Sequence, residues 1–180
     1  MEVDGRVVGS LIGLVGGEVF VQANAAGLPG ETAVRAAGWA LGLAVLGSVV
    51  VHLRSSPTAP PPPSRQGLRV YGVSVIALAV SVPVGAAALR AVGHDELTRA
   101  WVVLVVGLHL LPFARAFGQP FFRPLAWSLV TVALVGGAAT VAGFEDGPGW
   151  TGVLAGGVLL VAALVGLRRR DRHLLSPGRA

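Results

Sequence analysis

The chain has no cysteine, no lysine, and a single methionine and tyrosine in 180 residues. Without cysteine it can form no disulfide, no thiolate metal site and no thiol nucleophile. Charge is scarce too. Only 13% of the residues are charged, about half of the roughly 25% expected in a soluble domain. Aromatic residues make up 6%.

Apolar residues fill the space that these absences leave. They form 53% of the chain, and the mean hydropathy is +0.72. The charges sit between long apolar runs, which places the chain in the membrane class. The net charge of +5 is carried on the basic side by arginine alone. A basic chain can suggest nucleic acid, but these arginines flank apolar segments. They are expected to orient the chain in a bilayer and to leave nucleic acid aside.

Six runs are long enough to span: 7–26, 34–53, 70–89, 101–117, 125–141 and 150–167. A helix of about 20 residues covers the roughly 30 Å of a hydrocarbon core. The expected fold is therefore all-α. It is one integral membrane domain, 1–180, whose six transmembrane helices form a bundle of three hairpins. Ala23-Asn24-Ala25 has the small-residue look of a leader cleavage site. Glu2, Asp4 and Glu18 oppose a leader, which needs a positive start and a clean apolar core. The first helix is expected to be retained.

Between the second and third runs lies a Pro-rich linker, 54–69, with Pro57 and four consecutive prolines, 60–63. Such a run favours a stiff polyproline rod. A docking peptide is the sharper reading of it and a spacer the plainer one. A basic tail, 168–180, follows the sixth run, and Arg168, Arg169, Arg170 and Arg172 suit anionic lipid headgroups.

Eleven of the fourteen arginines fall on the side that holds both termini, the Pro-rich linker and the loop before the fifth run. Arg35, Arg90 and Arg99 fall on the other, with Glu31, Asp95, Glu96, Glu145 and Asp146. The positive-inside rule then puts both termini in the cytoplasm of a cell membrane. Each outer turn is acidic and is followed by a tryptophan: Glu31 by Trp39, Glu96 by Trp101, Glu145 by Trp150. This hints at three related hairpins. Trp101, Trp127, Trp150 and Tyr71 read as interfacial anchors, not as a cofactor stack.

The chemistry worth weighing is intramembrane. Gly5, Gly9, Gly13 and Gly17 recur every fourth residue of the first helix, and Gly9, Gly13 and Gly17 are expected to form a packing seam. Glu18 is the one acidic residue deep in an apolar run, with Gln22 a turn later and Asn24 nearby. A charged group there costs roughly 3 kcal/mol on insertion scales, so it is a functional candidate. His109, in the fourth run, lies at similar depth on an antiparallel helix. The expectation is that Glu18 and His109 meet near the midplane and share a hydrogen bond or a proton. Pro112 frees the carbonyl of Leu108 beside His109, and Arg115 can reach toward headgroups. The candidate polar site is thus Glu18, Gln22, Asn24, His109 and Arg115. No catalytic constellation, metal-ligand spacing or cofactor motif is present, and no cofactor is expected.

The string Gly107-Leu-His-Leu-Leu-Pro-Phe-Ala-Arg115 resembles a Gly-Leu-His-x-Leu-Pro-x-Ala-Arg motif of small, uncharacterised bacterial multi-spanning membrane proteins. The resemblance covers one helix. It implies a bacterial membrane protein and brings no activity with it. Three functions compete. The first is a structural or accessory membrane protein, alone, as a homo-oligomer or beside a membrane partner. The second is a small transporter or proton-coupled channel, with helices broken at Pro83 and Pro112. The third, and least supported, is an intramembrane enzyme.

Overall fold

The computed structural model describes residues 5–55, 65–116 and 120–168. They form six α-helices: α1 (Gly5–Asn24), α2 (Glu31–Ser55), α3 (Arg65–Ala91), α4 (Thr98–Ala116), α5 (Phe122–Val141) and α6 (Gly147–Arg168). A short 3₁₀ turn, Asp95–Leu97, leads into α4. All six are long and apolar enough to cross a membrane. The fold is an all-helical, multi-pass bundle of three hairpins, α1–α2, α3–α4 and α5–α6.

The helices outrun the apolar stretches that announce them. α2 continues to Ser55 and α3 starts at Arg65, so helix enters the 54–69 linker from both ends. The expected polyproline rod and most of the basic tail, including Arg169, Arg170 and Arg172, lie outside the described residues. Pro83 and Pro112 break nothing, because α3 and α4 run through them as helix. The freed acceptors are tolerated where neighbouring groups compensate.

The second and third hairpins turn in the same way. Gly93 and Gly143 take positive φ. At each, the glycine N–H reaches back three residues and the next N–H reaches back five: Gly93 to Arg90 and His94 to Leu89, Gly143 to Thr140 and Phe144 to Ala139. That is a Schellman cap, which satisfies the last helical carbonyls. The first hairpin departs from it. There Gly27 N–H donates to the Glu31 carboxylate (2.9 Å), which caps the turn from the following helix.

α6 is the hub. It packs on α1, α2, α4 and α5, and its spanning segment is the most buried of the six. Its most extensive interface is with α1. Ser10, Gly13, Gly17, Val21, Asn24 and Leu28 face Ala163, Leu159, Leu160, Gly156, Gly152 and Gly149 along an antiparallel seam. A second core, around Val103, Leu110, Phe113 and Leu129, joins α4 to α5. α3 is the outlier: Gly67 and Ser74 alone are buried on it, and among the described residues α4 is the only full-length helix it packs on extensively.

Candidate functional site

The α1–α2 interface holds the polar residues of the first helix. Two glycines on α2 make room for them. A Cβ at Gly42 would stand 2.5 Å from Glu18 Oε1, and one at Gly38 would stand 2.8 Å from Val21 Cγ1 and 3.1 Å from Gln22 Nε2. Their four-residue spacing reads as helix packing in the sequence. In the fold it seats a carboxylate and an amide between two helices.

From Glu18 a column of hydrogen bonds climbs toward the first turn. Gln22 Nε2 donates to Glu18 Oε2 (3.0 Å) and to the Arg35 carbonyl (3.3 Å). Arg35 answers from α2. Its Nη1 donates to the Gln22 carbonyl (2.9 Å) and to Gln22 Oε1 (3.4 Å). Its Nε donates to Glu31 Oε1 (2.8 Å), one helical turn earlier. Glu31 in turn caps Gly27. The order is Glu18, Gln22, Arg35, Glu31, turn.

The column runs from wet to dry. The side chains of Glu31 and Arg35 are 40% and 34% exposed, whereas Glu18 Oε1 is buried with no hydrogen-bond partner among the described residues. Arg35 does not pair directly with Glu18; Gln22 stands between them and cannot ionise. The arrangement therefore holds a carboxylate at the end of a fixed polar chain. Arg35 is the member that sequence reasoning passes over, because its place at the start of an apolar run reads as an exterior charge. The signal was present: Glu31 and Arg35 are an i,i+4 pair.

The other predicted residues go elsewhere. Asn24 is only two residues after Gln22 but points to α6: its side chain fills the space a Gly152 Cβ would take, and its amide donates to the Phe20 carbonyl of its own helix (2.8 Å). His109 sits at the α3–α4 interface. Its Nδ1 is 2.6 Å from the Val106 carbonyl; a carbonyl only accepts, so Nδ1 carries the proton. Its ring stands edge-on to Phe113, and its own carbonyl accepts from Ser74 Oγ (2.9 Å). Glu18 and His109 thus belong to different interfaces, each bonded locally, and the expected pair does not form. Nor does His109 turn to the Leu108 carbonyl freed by Pro112. The Arg115 side chain lies outside the described residues.

In the glycine ladder, Gly13 and Gly17 lie against α6. A Cβ at Gly13 would come within 3.1 Å of Ala163 Cβ, and one at Gly17 within 2.7 Å of Leu160 Cγ and 3.0 Å of the Gly156 carbonyl. Gly9 is not part of the seam: it is exposed, and a Cβ there would meet nothing within 4 Å.

No family model, curated protein or solved structure matches this chain.

Proposed function

We propose that the chain is a structural or accessory protein of a bacterial cytoplasmic membrane, with both termini in the cytoplasm and its role exercised through its packing. The observation that carries this reading is how the intramembrane polar groups are spent. Gln22 and Arg35 lock α1 to α2. Ser10 locks α1 to α6 through the Ala163 carbonyl, and Ser74 locks α3 to α4. Asn24, Ser48, Ser128, Thr140 and Thr151 bond carbonyls of their own helices. Groups used this way hold a bundle together. The arginine asymmetry supports the orientation, and the Gly107–Arg115 resemblance supports a bacterial source. Arg168, Arg169, Arg170 and Arg172 would rest on anionic headgroups, and a membrane protein partner or a second copy would be what the bundle assists.

A second reading, a small proton-coupled transporter, draws on one observation: the orphaned Glu18 Oε1 at the dry end of a hydrogen-bonded column. His109 has no part in it, since it lies at another interface. An enzyme using Glu18 and His109 as acid and base loses its geometric basis for the same reason.

One pair of variants separates the readings. Glu18→Gln keeps an acceptor for Gln22 Nε2, so the structural reading expects wild-type stability in detergent and no proton flux from reconstituted wild-type vesicles above empty ones. Glu18→Leu removes that acceptor and should cost about 1 kcal/mol. A wild-type proton flux that Glu18→Gln abolishes without loss of stability would replace the accessory reading with the transporter.

A further inference from the structure

A groove of about 570 Å³ runs between α3 and α4, apart from the polar column. Arg69 stands at one end of it and Ser81 and Trp101 at the other, with Ser74, Leu108 and His109 between. It opens onto the outer surface of the bundle, where Arg69, Val73, Ala77 and Leu108 are exposed. Among the described residues α3 leans extensively on no other full-length helix, and none of them closes that flank.

We propose that this groove is a binding site for an anionic phospholipid, one acyl chain lying along α3 and the headgroup phosphate on Arg69. Three features select that occupant. The first is shape. From Arg69 to Ser81 is twelve residues of helix, about 18 Å, so the groove is a long slot that runs with the membrane-spanning helix, as an acyl chain does. The second is the wall. Ser74 Oγ, Trp101 Nε1 and His109 Nδ1 are engaged with the carbonyls of His109, Ser81 and Val106. That leaves hydrocarbon, the Ser81 hydroxyl and one ring nitrogen of His109 for the occupant to meet. The third is charge. Arg69 lies four residues after Arg65 in the first turns of α3, so both stand at the membrane–water boundary on one face. Guanidinium forks suit phosphate oxygens. The proposal is independent of which side of the membrane the termini occupy.

Trp101 makes the site readable. In a protein carrying Trp39→Phe, Trp127→Phe and Trp150→Phe it is the sole indole. Nanodiscs of phosphatidylcholine would be doped with phosphatidylglycerol brominated in the distal half of its chains, or with phosphatidylcholine brominated at the same carbons. Brominated phosphatidylglycerol is expected to half-quench Trp101 at a mole fraction about five-fold lower, the ratio for roughly 1 kcal/mol per basic residue at the surface. Arg69→Gln should bring the two lipids level. Ala77→Phe, which fills the groove and leaves its charge, should remove the preference too. Arg123→Gln, an exposed arginine at the start of α5 outside the groove, should leave it unchanged. Equal quenching by the two lipids in the otherwise unchanged protein would overturn the proposal. So would a preference that survives Arg69→Gln or Ala77→Phe, or one that Arg123→Gln lowers equally, which would mark general surface charge.

Discussion

At Gly156 a hydrogen is the whole side chain that the fold allows. A Cβ there would stand 2.6 Å from the Gly17 carbonyl oxygen and 2.9 Å from the Val21 nitrogen, both backbone atoms that cannot swing aside. Gly156→Ala should therefore part α1 from α6 and lower stability by about 1–3 kcal/mol, the usual cost of overpacking. Gly9→Ala, facing open space, should hold or slightly raise stability because alanine is the better helix former. Unfolding in mixed micelles with increasing dodecyl sulfate would show it; equal midpoints for the two variants would refute the seam. The contrast also shows what the sequence conceals. A four-residue step drifts about 40° around a helix of 3.6 residues per turn. The ladder at 9, 13 and 17 therefore cannot stay on one straight line. The actual seam on α1, 10, 13, 17, 21 and 24, mixes steps of three with steps of four, so the drift of one is offset by the other, as in coiled-coil contacts. Depth was legible for Glu18 and His109 in the same way, from distance along the helix. Direction around the axis was not, and direction separates Gln22 from Asn24 and Glu18 from His109.

Among the elements, the helices and their hairpin pairing were readable because span length and turn residues are local properties. Partner choice between distant helices was not. In water an amphipathic stripe points to the core, but lipid is as apolar as the core, so α6 carries no stripe to announce it as the hub. α3 shows the other side of this. Its spanning segment is only 6% buried, and α4 is the helix that holds it, through Ser74 to the His109 carbonyl, Trp101 Nε1 to the Ser81 carbonyl (3.0 Å), and Tyr71 against Phe113 among other contacts. The Trp101 ring also fills the space beside Gly85. Trp101→Ala should thus loosen α3 and leave the α1–α6 seam alone. The absence of cysteine lets spin labels be placed uniquely. A label pair at Val84 and Leu134 should give a broader distance distribution in the variant than in the parent. A pair at Val15 and Val161 should not change. An unaltered Val84–Leu134 distribution would mean that α3 is held by something other than Trp101.

For the whole molecule, orientation gives each surface its meaning. The proposed map has α1 running outward and α6 running inward, so the turn at 27–30 and the Schellman turns at Gly93 and Gly143 share the exterior. The polar column would then open outward at Glu31 and end inside at Glu18, and the Arg69 mouth of the α3–α4 groove would meet the cytoplasmic leaflet. The map rests on charges close to helix ends, the ones that count in the positive-inside rule. Even if Arg179, well beyond α6, is set aside, ten arginines still face three. It also rests on chemistry the rule does not use. Glu31, Asp95, Glu96, Glu145 and Asp146 all fall at or beside the three hairpin turns, which the map places outside. Two of the three exterior arginines, Arg90 and Arg99, flank one loop beside acidic residues, and the third, Arg35, is held by Glu31 and Gln22. The side of the bundle that holds these three turns is therefore poor in uncompensated positive charge, not merely poorer in arginine, as the map requires of an exterior. Reporter fusions after Arg65 and after Arg179 should be active only as cytoplasmic markers, and a fusion after Glu145 only as an exterior one. Replacing Arg54, Arg65 and Arg69 together with glutamine should weaken the bias and yield a mixed population. A tail reporter active outside in the parent chain would invert the map and place the mouth of the column in the cytoplasm. The hydrogen bonds from Glu18 to Glu31 would be unaffected, because they depend on the fold and not on which side receives it.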